Sequence, residues 1–153
     1  KEHGIYLGTT VTAFLLVENR FFVWHVGDSR LYKISSSKIY KLTDDHTVIA
    51  KEIAEGRLTE KEAKKDPRRN VLLQCIGATS DVNPDMFCGE VEKGDILLLC
   101  SDGFRHEVSE KEILNTLLKC DNSKFNEKLR ELIDLNLKRK ELDNISVALV
   151  KVQ

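Results

Sequence analysis

Ile96-Leu97-Leu98-Leu99-Cys100 runs without a polar residue and breaks at once on Ser101-Asp102-Gly103. A short apolar run that ends on turn formers reads as a buried strand with a carboxylate at its tip. The same grammar occurs twice more. Phe21-Phe22-Val23-Trp24-His25-Val26 leads into Gly27-Asp28-Ser29-Arg30, and Asp143-Asn144 stands just before Ile145-Ser146-Val147-Ala148-Leu149-Val150. A rigid sheet can hold each aspartate in a fixed place. Three such carboxylates brought together would form an oxygen-rich pocket suited to a hard divalent cation, Mg²⁺ or Mn²⁺. The chemistry such a pocket implies is metal-assisted hydrolysis.

Outward from these runs, Thr9 to Val17 and Phe21 to Val26 read as adjacent strands joined by Glu18-Asn19-Arg20. Arg30 to Ile34 and Lys38 to Leu42 form a second pair around Ser35-Ser36-Ser37, so the region is expected to be an antiparallel meander. The pattern then turns helical from Val48 to Glu55, with Gly56 as the stop. Thr59-Glu60-Lys61-Glu62 is a capping box opening a short polar helix that Pro67 closes. Strand pattern returns at Met86 to Val91 and Ile96 to Ser101, and Ser109-Glu110-Lys111-Glu112 is a second capping box starting a helix to about Lys119. Phe125, Leu129, Leu132, Ile133 and Leu137 recur at helical spacing and predict a long amphipathic helix. The last run, Ile145 to Val152, is apolar on both faces and reads as a central strand.

The chain has 153 residues, enough for one domain with a real core and too few for two. Its 41% hydrophobic and 32% charged residues are those of a globular protein. A net charge of −1 argues against a nucleic-acid partner, which needs a basic excess on one face. No apolar stretch approaches the ~18–20 residues of a membrane helix. Cys75, Cys88, Cys100 and Cys120 are widely spaced and form no metal or redox motif, which suits a reduced, cytoplasmic setting.

Taken in order, these motifs resemble the metal-dependent protein serine/threonine phosphatases, the PPM or type 2C family, in its bacterial style. Leu7-Gly8-Thr9-Thr10 resembles the family's Gly-Thr-Thr strand start, Gly27-Asp28-Ser29-Arg30 its hairpin turn, and Leu42-Thr43-Asp44-Asp45-His46 its Leu-Thr-x-Asp-His segment. Asp66-Pro67-Arg68-Arg69-Asn70-Val71-Leu72 with Ile76-Gly77, then Ser101-Asp102-Gly103 and Asp143-Asn144-Ile145-Ser146, complete the series. Asp66 stands where bacterial members often carry His, and Phe104 where Leu is common. The family's Asp-Gly-x-Gly-Gly signature is absent, Lys1-Glu2-His3-Gly4 run straight into what resembles mid-fold sequence, and the single methionine is Met86. The expectation is therefore a partial catalytic domain over 1–153 that lacks its N-terminal portion.

The resemblance implies an α+β fold, an antiparallel β-sandwich flanked by helices, with a helical flap at about 44–84. It implies hydrolysis of phosphoserine and phosphothreonine on proteins by metal-activated water, with two or three Mn²⁺ or Mg²⁺ ions in the intact enzyme. It places Asp102 and Asp143 on the first metal, and Asp28, with Asp102, near a third. No nucleophile with an adjacent base stands out, so no covalent phospho-enzyme is expected. Expected partners are phosphorylated proteins and a Ser/Thr kinase; the chain alone is expected to be inactive and dimeric. The alternative is a pseudophosphatase or phosphoprotein-binding module.

Plainer readings stand beside these. Asp102 before Gly103 is also an ordinary turn aspartate, and Asp143 and Asp28 can bond their own backbone. His46 is expected to orient the flap rather than move protons, and His25 and His106 read as isolated. Lys64-Lys65-Asp66-Pro67-Arg68-Arg69 could meet a phosphopeptide through Arg68 and Arg69, although most such clusters are solvated loops. Asp44, Asp45 and Asp81 read as solvent-facing or capping residues.

Overall fold

A computed structural model describes residues 7–153; Lys1-Glu2-His3-Gly4 lie outside the described residues. The strands are β1 (Val11–Val17), β2 (Arg20–Val26), β3 (Arg30–Ser35), β4 (Lys38–Lys41), β5 (Asp85–Glu90), β6 (Ile96–Cys100) and β7 (Val147–Lys151). The helices are α1 (Val48–Ala54), α2 (Glu60–Ala63), α3 (Asp102–Arg105), α4 (Glu110–Leu117) and α5 (Phe125–Lys138). They divide between two compact units, one holding the residues up to Asp28 with Asp44–Gly89, the other Ser29–Thr43 with Glu90–Gln153.

The first unit is built on an antiparallel sheet of order β1-β2-β5. The β1–β2 register pairs Thr12 with His25, Phe14 with Val23 and Leu16 with Phe21 on one face, and Ala13 with Trp24 and Leu15 with Phe22 on the other. Phe21, Val23 and His25 on the first face are buried, whereas Val11, Leu15, Val17 and Trp24 on the second are exposed. α1 starts where Thr47 accepts the Ala50 N–H on its hydroxyl, and its run ends before Gly56, whose φ of +72° continues no helix. The capping box of α2 forms as the sequence predicts, with Thr59 and Glu62 bonding reciprocally.

The second unit carries a sheet of order β4-β3-β6-β7. β6 sits between β3 and β7, which explains its unbroken apolar sequence: Ile96, Leu97, Leu98 and Cys100 are all buried. α4 and α5 bring Ile113, Leu117, Phe125 and Leu132 into the core with Tyr32 and Phe104. Two expectations need correction. The first four strands are no single meander: the β1–β2 and β3–β4 hairpins belong to different sheets, because the chain leaves β2 through Gly27 at φ +117° and β3 then pairs with β6. The last strand is not central. β7 pairs with β6 alone among the described residues, and its apolar run alternates half-buried with exposed positions, Val150 among the latter.

Candidate metal centre

The end of β6 is fastened to the start of β7 through Ser101. Its N–H donates to Ser146 O at 3.0 Å, its hydroxyl donates to Asn144 O at 3.2 Å, and the same hydroxyl oxygen accepts the Ser146 N–H at 3.0 Å. Asp102 and Asp143 are therefore delivered side by side. Gly103 shows how closely: a Cβ there would sit 2.6 Å from Asn144 O and 3.2 Å from Asp143 Cβ. The approach is possible only because position 103 has no side chain.

Asp102 opens α3, a single helical turn that sequence patterning does not show because it has no apolar period of its own. Its Oδ1 accepts the Gly103 N–H at 2.8 Å, and Asp143 Oδ1 accepts the Asn144 N–H at 2.7 Å. Both aspartates thus make the local turn bonds that the plainer reading expects. Each also leaves its Oδ2 without a hydrogen bond among the described residues. Such oxygens fit two of the positions around one hard divalent ion. No group of three or more His, Cys, Asp or Glu side chains among the described residues could hold a metal, so these two alone would supply only part of a shell. Beneath them, the fully buried Asn136 on α5 donates through Nδ2 to Phe104 O at 2.8 Å and Leu132 O at 3.1 Å, pinning α3 to the long helix.

Asp28 lies in the first unit, half-buried in its turn. His46 holds that turn from both sides: its backbone N–H donates to Gly27 O at 2.7 Å, and its Nδ1 accepts the Gly27 N–H at 3.1 Å. Because Nδ1 accepts there, Nε2 carries the proton and donates to Asp85 Oδ2 at 3.1 Å. Gln74 adds a contact of 2.9 Å between its amide nitrogen and His46 Nδ1. A Cβ at position 27 would meet Thr10 Cγ2 at 2.3 Å, so glycine is required where His46 closes the turn.

Neither His25 nor His106 is isolated. His25 is fully buried, with Nδ1 2.8 Å from Thr12 Oγ1 and Nε2 2.9 Å from Asp44 O, its ring 4.8 Å from that of His46. His106 lies between Glu141 and Asp102. Arg68 and Arg69 are exposed, and Arg68 grips Asp66 through Nε at 3.0 Å and Nη2 at 2.8 Å. The Arg68 guanidinium holds the Asp66 carboxyl down to about 2, so that arginine is already engaged locally.

No family model matches the chain. A type 2C protein phosphatase of Streptococcus pyogenes is 40% identical over 144 residues, 94% of this chain and 58% of the relative. The serine/threonine protein phosphatase PstP of Mycobacterium tuberculosis is 34% identical over 95% of this chain and 28% of its own length. Among solved structures, the Streptococcus agalactiae serine/threonine phosphatase superposes with a TM-score of 0.89 at 36% identity, covering 95% of this chain and 60% of that one. Over nearly its whole length the chain is thus similar to type 2C protein phosphatases. The catalytic domain of PstP, solved with two manganese ions, also matches, with a TM-score of 0.82 at 33% identity. The antiparallel sheets and helices agree with these type 2C structures, and the chain spans about 60% of the length of the S. agalactiae phosphatase. Sequence reasoning missed the supports around the strand-end aspartates: Asn136, Glu141 and His106 in one unit, and the full role of His46 in the other. Only His46 lay in a recognised motif.

Proposed function

We propose that the chain contributes to a serine/threonine protein phosphatase that hydrolyses phosphoserine and phosphothreonine with metal-activated water. The observation that carries this reading is the delivery of Asp102 and Asp143 to one place through the Gly103 contact, in a chain 40% identical to a type 2C phosphatase. Divalent ions, when bound, lower the pKa of water toward neutrality and balance charge on the phosphoryl oxygens. Asp102 and Asp143 would hold one Mn²⁺ or Mg²⁺ through carboxylate oxygens, and Asp28 would serve a further ion. The work of the protein is to fix those oxygens before substrate arrives. Residues 44–84 act as the flap, and Arg69, with Arg68 if it leaves Asp66, would meet substrate phosphate. Substrates are phosphorylated proteins in bacterial signalling, and a Ser/Thr kinase is the opposing partner. A cytoplasmic location accords with four free cysteines and with the lack, among the described residues, of any helix long and apolar enough to cross a membrane. The chain self-associates as a dimer. No observation favours the non-catalytic alternative.

Calorimetric titration tests the ligand assignment. Mn²⁺ should bind weakly to the chain, because two carboxylates leave most positions to water, and Asp102→Ala should abolish the binding. Binding unchanged by that substitution, or absent from the unaltered chain, overturns the assignment. In a p-nitrophenyl phosphate assay with Mn²⁺ the chain alone should show little or no turnover, in contrast to a type 2C phosphatase with a complete domain. Full turnover by the chain would overturn this account of which residues are needed.

A further inference from the structure

The loops bearing Asp102 and Asp143 are joined by two side chains that neither motif contains. Glu141 Oε1 accepts the N–H of Leu142 at 2.9 Å and of Asp143 at 2.8 Å. Its other oxygen, Oε2, lies 3.2 Å from His106 Nδ1. An ionised carboxylate only accepts, so Nδ1 is the donor. Across the ring, Nε2 lies 3.7 Å from Asp102 Oδ2, too far for a hydrogen bond, and the His106 backbone N–H donates to Asp102 O at 3.1 Å. The His106 and Glu141 side chains are shielded, at 14% and 9% exposure.

We propose that Glu141 and His106 form a clasp that positions Asp102 and Asp143 for a common divalent ion. The proposal rests on the reading of those two aspartates as ligands. Glu141 fixes the backbone at Asp143, and through His106 the same carboxylate holds the α3 turn that carries Asp102. The need for a clasp follows from the loop itself. Residues 141–144 lie in neither helix nor strand, and Leu142 is 94% exposed. Unanchored, the loop would have to be ordered when the ion binds, at a cost in affinity. The fold does not depend on the clasp, because Asn136 already holds Phe104 and Arg139 already bonds Glu107 O and the Glu112 carboxylate. Glu141 and His106 are thus positioning residues, acting through the aspartates.

The test is a double-mutant cycle on the chain, read by Mn²⁺ calorimetry. Glu141→Ala and His106→Ala should each weaken binding roughly tenfold, the scale of losing an outer partner of a metal ligand. The double variant should be no weaker than the worse single, and Glu141→Gln, which keeps an acceptor for the two amides but loses the one facing His106, should recover only part of the affinity. Additive losses, or unchanged affinity in either single variant, overturn the clasp. Amide exchange on the metal-free chain gives a readout without the ion. Glu141→Ala should speed exchange at Asp143 and also at Gly103 to His106; a rise confined to residues 142–143 overturns the coupling. Asp102→Ala separates the two levels. If it abolishes Mn²⁺ binding while Glu141→Ala has no effect, the clasp fails alone; if binding survives it, the ligand reading fails and takes the clasp with it.

Discussion

At the scale of single residues, the buried histidine His25 shows how a polar group is kept inside a sheet. The Asp44 carbonyl can only accept, so His25 Nε2 carries the proton, and Thr12 supplies the hydroxyl at Nδ1. The neutral ring is satisfied by these two bonds. Burial pushes its pKa below the ordinary 6.5, the nearby His46 pushes the same way, and the Asp44 bond opposes them. The unfolded chain therefore takes up a proton before the folded one does. Stability from this residue is complete above about pH 6.5 and declines as the pH falls below that value. Urea unfolding at pH 7.5 and 5.5 should show a loss for the native chain that is clearly smaller in His25→Gln; equal losses would remove His25 as the cause. His46 makes a different prediction. With its ring gone, the Gly27 N–H loses an acceptor, so His46→Ala should speed amide exchange at Gly27 and Asp28, and protection unchanged at both would show that the backbone bond alone holds the turn.

At the scale of elements, the α4 capping box couples local chemistry to tertiary packing. Ser109 Oγ accepts the Glu112 N–H at 3.3 Å, Glu112 Oε2 accepts the Ser109 N–H at 2.9 Å, and Arg139, the cap residue just after α5, bonds the same carboxylate at 2.6 Å. Ser109→Ala should cost about 1 kcal/mol in unfolding free energy, and more than Thr59→Ala, because α4 buries Ile113 and Leu117 whereas α2 buries only Ala63. Arg139 first, and then Ser109, draw the Glu112 carboxyl down to about 2. The stability this gives is present above the ordinary carboxylate range and is lost as the pH falls toward 2. Glu112→Gln should therefore flatten the acid limb of the unfolding curve. Such elements were legible because capping boxes and helical periods are local. The chain gave no comparable sign of α3, which depends on Asn136 reaching Phe104 from 32 residues away. It likewise misled at β7, since an apolar run reports that a strand is apolar and not how many neighbours it has. The aspartates were legible from strand-end grammar, but the clasp was not: Glu141 and His106 are 35 residues apart and sit in no motif.

At the scale of the whole molecule, the surface left open sets the behaviour of the chain. One face of the β1-β2-β5 sheet presents Val11, Leu15, Val17 and Trp24, all exposed, and among the described residues β1 is an edge strand, without a charged residue. In the other sheet, β7 is also an edge among the described residues, with Val150 exposed. Natural edges are usually blunted by charge, proline or a covering element, and contiguous apolar faces of this kind draw in another chain. A second copy offers the same face and the same free strand edge, and a symmetric pairing satisfies both copies at once. Light scattering on the purified chain should therefore report a dimer rather than the 17.5 kDa species. Leu15→Glu, set in the centre of the exposed face opposite Phe22, should shift it toward monomer without lowering its unfolding midpoint, since position 15 is half-exposed and contributes little to the core. A native chain that stays monomeric at high concentration would overturn the pairing. If Leu15→Glu remained dimeric, the contact would move from this face to the β7 edge, where Val150→Lys is the corresponding probe.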